Sequence, residues 1–320
     1  MIAGKRIFIT GGGGFIGSSV AERLIDANEI VIYDNFARDA LSRRKFLGHK
    51  NLRIVKGDVL DFDALRREMR GANLVVHCAG IAGVDTARIS PIRTLEVNTV
   101  GSLNVLKAAA ELDHCDRVVC FSTSEVFGQR AFDSRETDMS MIGAVGEARW
   151  IYAVSKLAGE HAAIAFHKEK ALPTTVVRPF NIYGPGQVGE GAIHNFVKRA
   201  IHDETIYIHG EGTQIRAWCY IDDMVDGTLL ALTKPEAIGE SFNIGNHRSV
   251  ETIYGLANTV VRILQSRSKI EFSGIKQTDV ELRMPSVEKA LRLLNFIAKV
   301  SLEEGLLRAA DYYREMDAGG

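Results

Sequence analysis

The stretch that most restricts what this chain can become is Lys5 to Gly17, KRIFITGGGGFIG. Ile7, Phe8 and Ile9 read as a buried parallel strand that breaks into four consecutive glycines. Beyond them Phe15, Ile16, Val20, Leu24 and Ile25 recur at helical spacing, so the order is strand, tight turn, helix. Such a turn holds a pyrophosphate: one glycine makes the bend, another lets backbone approach the phosphates, and a third packs helix on strand. Two registers fit, Gly11-Gly14-Gly17 or Gly12-Gly14-Gly17. Asp34 ends the next strand, EIVIYD, where a carboxylate would grip the adenosine ribose. A plain glycine-rich turn is the bland alternative, and this context weighs against it.

The chain has 320 residues, enough for one large or two ordinary domains. Lys+Arg 39 against Asp+Glu 40 leaves a net charge of −1, so no global field recruits nucleic acid or an anionic membrane. Nothing reads as a transmembrane run, and the first apolar stretch is a short strand without a cleavage-site pattern. Cys78, Cys115, Cys120 and Cys219 lack paired ligand spacing and read as reduced thiols in a cytoplasmic protein, with no metal site.

In chain order, 52–58 reads as a third strand, 62–69 as a helix and 74–80 as a fourth strand. A long helix is predicted over 94–112, a fifth strand over 116–122, a polar loop over 129–147, a second long helix over 150–169 and a sixth strand over 174–178. This alternation predicts an α/β Rossmann fold, a doubly wound parallel sheet. Residues 1–179 form the expected NAD-binding domain, and 180–320 a smaller α/β lobe, with about 217–245 returning to the first domain. In the lobe, helices are expected at 193–202, 222–232, 250–265, 286–294 and 302–314, with strands at 206–209, 218–221 and 270–272.

Tyr152 and Lys156, in YAVSK, stand four apart on a predicted helix and share a face. A lysine ammonium beside the phenol, with a positive nicotinamide, would favour the phenolate and let Tyr152 take a proton from a substrate hydroxyl. Most Tyr-x-x-x-Lys pairs are surface pairs; the preceding dinucleotide fingerprint sets this one apart. FSTSEVFG (121–128) brings Ser122, Thr123, Ser124 and Glu125 to the end of strand five, where a hydroxyl can bond the reacting oxygen and a carboxylate can move a proton. A Ser/Thr turn with a capping carboxylate is the bland reading.

Together TGGGGFIG, STSEVFG, YAVSK and RPFNIYGPGQ resemble the extended short-chain dehydrogenase/reductase superfamily, in its nucleotide-sugar epimerase, dehydratase and decarboxylase branch. The resemblance implies a tightly held NAD, reduced and reoxidised within one turnover. It implies Thr123 as the catalytic hydroxyl, Tyr152 as the base and Lys156 as its partner. Gly11, Gly14 and Gly17 match the motif glycines, with Phe15, Ile16 and Asn35 beside them. Asp34 matches the ribose carboxylate, and Asp58 with Val59 lie near the adenine. Ala79, Gly80 and Asn98 match cofactor-side positions. Asn181, Arg216 and Arg283 match residues that bind a sugar diphosphate, and a homodimer built on the two long helices is implied. Independently, two arginines suit a pyrophosphate because each planar fork makes paired, charge-assisted hydrogen bonds.

The branch shares oxidation of a sugar hydroxyl and differs in the fate of the ketone. Thr123-Ser124-Glu125, ARWIYAVSK and DVELRMPS lean toward UDP-glucuronate decarboxylases, with Arg149 and Arg283 as candidates for a substrate carboxylate. HCAGIAGV and LEVNTVGS are closer to UDP-sugar 4-epimerases, and Thr-Ser-Glu also occurs in dehydratases, where Glu125 would be a base. A catalytically silent NAD-binding regulator is the reading from another class; intact Thr123, Tyr152 and Lys156 argue against it. Asp34 repels a 2′-phosphate and favours NAD over NADP, with Arg38 nearby in sequence.

Overall fold

The computed structural model describes residues 2–189, 191–274 and 280–318; Asp279, the first residue of DVELRMPS, lies outside them. The strands in chain order begin with β1 (Arg6–Thr10), β2 (Glu29–Asp34), β3 (Leu52–Lys56), β4 (Leu74–His77) and β5 (Arg117–Phe121). They continue through β6 (Arg130–Ser134), β7 (Thr174–Pro179), β8 (Ile182–Tyr183), β9 (Ile206–His209) and β10 (Ile215–Ala217). The last are β11 (Cys219–Tyr220), β12 (Ser241–Ile244), β13 (Val250–Thr252), β14 (Ile270–Ser273) and β15 (Leu282–Pro285).

A seven-stranded sheet runs in the order β12-β7-β5-β4-β1-β2-β3, parallel throughout. It is the doubly wound α/β sheet expected from the sequence. Period-two alternation sorts its residues between two cores. Ile7, Ile9, Ile30 and Ile32 pack into one, and Phe8, Val31 and Tyr33 into the other. Each such fully buried side chain contributes roughly 1.5–3 kcal/mol relative to exposure. An aspartate at Ile9 would therefore break an inner strand of the sheet.

Four strands form a second sheet, β13-β10-β15-β6, and β8–β11 and β9–β14 make two short pairs. Residues 180–320 do not stay apart from the first sheet. β12 pairs with β7, and the helix Ile221–Thr233 packs on β5 and β7.

Several elements differ from expectation. The polar segment 129–147 contains β6, an edge strand in which only Ala131 and Ser134 are buried, so it carries no alternating apolar signal. The helix expected from 250 starts at Ile253. The three residues before it form β13, and the Thr252 hydroxyl caps the helix by accepting Gly255 N–H at 2.8 Å. The helix expected over 94–112 is interrupted by a π turn at Glu96–Val100 and continues as Gly101–Ala110. The helix Ile151–Lys170 agrees with expectation to within a residue. No helix among the described residues is long and apolar enough to cross a membrane.

Candidate active site

The glycine turn lies between the ends of β1 and β4. Gly11 adopts φ +71°, and a methyl there would sit 2.4 Å from Ala79 N. A methyl on Gly17 would meet Gly11 O at 2.4 Å, so helix and turn pack too closely for any side chain. Gly14 stands at the head of the helix Phe15–Leu24, which no side chain caps. Between the two registers, Gly11 is the one that takes the left-handed bend. Asp34 reaches back across the mouth: one oxygen accepts Gly13 N–H at 2.8 Å and the other accepts Phe36 N–H at 2.7 Å. Burial raises its pKa above the usual carboxylate value, against the pull of those amides. Asn35 closes a turn by accepting Ala37 N–H at 3.0 Å, and the Phe15 carbonyl accepts the Ser19 hydroxyl at 2.8 Å. Ile16 is half-buried against the first core.

Farther along, Asp58 accepts Leu60 N–H at 3.0 Å and pairs with Arg93 at 2.5 Å. Val59 is buried, and a methyl on Gly101 would meet its Cγ2 at 2.5 Å. At Gly80 a methyl would lie 2.9 Å from Lys156 Nζ and 3.0 Å from Asn98 Oδ1, so this glycine lets three elements converge. A backbone cradle closed to side chains, a helix N-terminus behind it and a carboxylate at its far edge fit a dinucleotide cofactor.

Thr123 heads the short 3-10 turn Ser124–Phe127 after β5 and accepts Glu125 N–H on its hydroxyl at 3.2 Å. The Tyr152 hydroxyl hydrogen-bonds the Thr123 side chain. Burial pushes the Tyr152 phenol up to about 12; the Thr123 bond works against this, Glu125 adds to it, and Arg38 lowers it. The side-chain cation that lowers the Tyr152 phenol here is Arg38. Lys156 instead donates to Phe121 O at 2.8 Å and lies under the Gly80 loop. Burial brings its ammonium down to about 8, offset by the neighbouring Cys78 and Cys120 thiols. In the sequence Arg38 bears only on the choice between NAD and NADP. Its guanidinium lies 3.0 Å from Thr86 Oγ1, and a methyl on Gly189 would touch it at 3.2 Å.

Glu125 gathers two buried arginines that come from distant parts of the chain. Arg149 Nη2 lies 3.4 Å from one carboxylate oxygen and Arg283 Nη2 3.3 Å from the other. Arg283 also donates to Ser124 O, which ties β15 to the turn after β5. Arg149 stacks on Trp150, 4.5 Å from its ring centre, and the Trp150 indole donates to Glu147 at 2.8 Å. The Trp150 stack carried no signal of its own in the sequence.

Beside this cluster a cavity of about 320 Å³ is lined by Asn181, Gln187, Arg216 and Trp218. Asn181 holds φ +44° and donates to Ala217 O at 2.8 Å, and Arg216 stands in register with Arg283 on the neighbouring strand. No cluster of metal-ligating side chains occurs among the described residues.

Chemically, the arrangement offers a hydroxyl and a phenol in one hydrogen bond, an amine below them, a guanidinium pair at one side and an anion-sized cavity beyond.

Comparison with known proteins gives the same frame. The NAD dependent epimerase/dehydratase family matches residues 7–245. A UDP-N-acetyl-alpha-D-glucosaminuronate decarboxylase of Bacillus cytotoxicus is 32% identical, over 98% of this chain and 99% of that protein. UDP-glucuronic acid decarboxylase 1 of Danio rerio is 32% identical, over 98% of this chain and 74% of that protein. The structure of UDP-glucuronic acid 4-epimerase from Bacillus cereus, in complex with UDP-glucuronic acid and NAD, superposes with a TM-score of 0.86 at 28% identity, covering 97% of this chain and 99% of that one. The fold, the glycine cradle and these matches converge: the chain belongs to the NAD dependent epimerase/dehydratase family and is an NAD-dependent enzyme.

Proposed function

We propose that the enzyme is a UDP-hexuronic acid decarboxylase. The observation that carries the reading is the convergence of Arg149 and Arg283 at Glu125, one turn from the Thr123–Tyr152 hydrogen bond. Two buried planar forks at that position suit the carboxylate of a hexuronic acid, because each offers paired, charge-assisted hydrogen bonds. The similarity to decarboxylases at 32% identity supports the same choice.

Bound NAD supplies the hydride acceptor. Gly11, Gly14 and Gly17 admit its pyrophosphate, Asp34 takes its ribose, and Asp58, Val59, Ala79, Gly80 and Asn98 line its path. Asn181 and Arg216 take the diphosphate of the substrate. Tyr152, bonded to Thr123, removes the proton of the sugar 4-hydroxyl as hydride leaves its carbon. The resulting β-keto acid would lose carbon dioxide, leaving the electron pair of the broken bond in an enolate. Water would protonate the carbon that carried the carboxylate, and Tyr152 would give its proton back to the 4-oxygen when the ketone is reduced. Lys156 orients the cofactor side, and Ser124 fixes Arg283 through its carbonyl. Both oxygens of Glu125 face guanidinium groups, an arrangement that holds an anion in place rather than one that abstracts a carbon-bound proton. This weighs against a dehydratase.

The test is mass spectrometry of products from purified protein with NAD and UDP-glucuronic acid, UDP-N-acetylglucosaminuronic acid or UDP-glucose. Loss of carbon dioxide from a hexuronate is expected. An isomer of unchanged mass would make the enzyme a 4-epimerase, the reading favoured by its likeness to the Bacillus cereus structure. Loss of water would restore Glu125 as a base.

We further propose a homodimer. Ile89, Ile92, Leu95 and Val100 are exposed on helical segments that pack beside Ile151–Lys170, and Val154 is exposed on that helix itself, which gives apolar surface suited to a second copy. A monomer mass independent of concentration in sedimentation would overturn it.

A further inference from the structure

A run of buried side chains connects the cofactor strand to the helix that carries Tyr152. Thr10, at the end of β1, places its hydroxyl 2.7 Å from His77 Nδ1. His77 Nε2 lies 2.9 Å from the Ser102 hydroxyl, which donates to Asn98 O at 2.6 Å. Asn98 then uses its whole carboxamide. Its Oδ1 accepts Ile81 N–H at 2.7 Å, and its Nδ2 donates to Ile81 O at 3.1 Å and to Ser155 Oγ at 3.0 Å. Ser155 donates onward to Tyr152 O at 2.8 Å. Thr10, His77, Asn98, Ser102 and Ser155 are all buried.

Proton counting fixes the direction of the run. A carbonyl can only accept, so the single proton of Ser102 is spent on Asn98 O. Ser102 must therefore accept from His77, and Nε2 carries the imidazole proton. That leaves Nδ1 as an acceptor, filled by the Thr10 hydroxyl. No other tautomer satisfies all three contacts. Burial, with the charge of Lys156, brings His77 down to about 3, in keeping with a permanently neutral ring.

The local backbone is built around this run. Asn98 sits inside the π turn Glu96–Val100, where one extra residue in the turn re-aims a side chain. Gly159 lets the helix Ile151–Lys170 pass close: a methyl there would meet Ser102 Oγ at 3.2 Å.

We propose that His77 is a positioning residue for hydride transfer. Held as the neutral Nε2–H tautomer between Thr10 and Ser102, it sets the π turn from which Asn98 clamps the Ile81 loop to the helix of Tyr152. The ring is buried, with both nitrogens taken up by Thr10 and Ser102. It fixes the distance between the Ile81 loop and the helix that carries the phenol. The inference rests on the NAD-dependent chemistry of the family and not on which sugar is turned over.

Thr10→Val removes the donor to Nδ1 while keeping the shape of the side chain, and Thr10→Ser keeps the donor. In Thr10→Val we expect kcat to fall about tenfold with KM for the nucleotide sugar changed by less than about twofold, a loss confined to the transition state. Thr10→Ser restores kcat to near the wild-type value. Wild-type kcat in Thr10→Val, or an equal loss in both variants, would overturn the proposal.

Nitrogen-15 chemical shifts of His77 in the wild-type protein with bound NAD form the second test. A protonated Nε2 and a bare Nδ1 are expected. The opposite tautomer or an imidazolium at neutral pH would overturn the assignment. This measurement needs no substrate and no variant, so it stands even if the decarboxylase reading fails or Thr10→Val does not fold.

Discussion

Arg283, on an inner strand of the second sheet, meets Glu125 at the end of β5 with Nη2 3.3 Å from Oε1. Exposed by only 1%, its guanidinium has been taken almost wholly out of water. A buried charge of this kind is expensive unless neighbours compensate it. Arg283→Met should therefore lower kcat/KM for a UDP-hexuronate about 100-fold, the size of a lost charge-assisted pair in a dry site. Oxidation of UDP-glucose, which has no carboxylate, should change by less than about threefold. Absorbance of reduced nicotinamide in a single turnover reads both; an equal loss would mean that Arg283 only braces the turn.

Tyr152→Phe removes the phenol oxygen that bonds Thr123 and leaves the ring in place. Turnover should drop by about 10²–10⁴-fold, the usual share of a positioned acid–base group. NAD affinity, measured by equilibrium dialysis, should stay within about threefold of wild type, since the glycine cradle is untouched.

Lys156 should give the pH profile its alkaline limb. Its ammonium titrates near 8 in place of 10.5, so the charged form dominates below pH 8 and is lost as pH rises through it. The limb in kcat/KM should lie near that value, and Lys156→Arg, charged throughout, should move it out of range. An unmoved limb in the variant would assign it to another group.

Buried His77 should make the fold sensitive to acid. Its folded pKa of about 3 lies below the ordinary 6.5, so the unfolded chain binds the extra proton first. The stabilising contribution is complete above pH 6.5 and is lost as pH falls from there toward 3. Between those values the slope should be about 1.4 kcal/mol per pH unit from this residue alone. Lys156 is the charged group that acts on the ring; Thr10 and Ser102 are its neutral partners. Urea unfolding across this range checks the slope, and His77→Gln should flatten it.

The first sheet was legible because its inner strands are buried on both faces and bounded by sharp turns. EIVIYD is a strand over its full predicted length, and Phe62–Met69 a helix over its own. The second sheet was not. β6 is an edge strand with exposed Phe132, β13 is three half-buried residues, and neither shows a period. The π turn at Glu96–Val100 was hidden because its residues keep ordinary helical composition. Thr123 and Tyr152 were legible as motif residues, and their hydrogen bond follows from the order of strand and helix. The meeting of Arg149, Glu125 and Arg283 depends on β15 reaching the turn after β5, a long-range pairing that no local pattern encodes.

Arg216 and Arg283 are register partners on adjacent parallel strands, so both side chains leave the same face of one small sheet. The spacing between the cavity beside Arg216 and the carboxylate cluster around Glu125 is therefore set by strand pairing, and not by a flexible loop. The sheet works as a caliper. A one-residue slip of β15 would turn Arg283 to the opposite face and leave Arg216, the proposed diphosphate ligand, where it is. On the proposed reading, a chain with that slip would still bind nucleotide sugars and would lose its means of telling an acid from an alcohol at the sixth carbon.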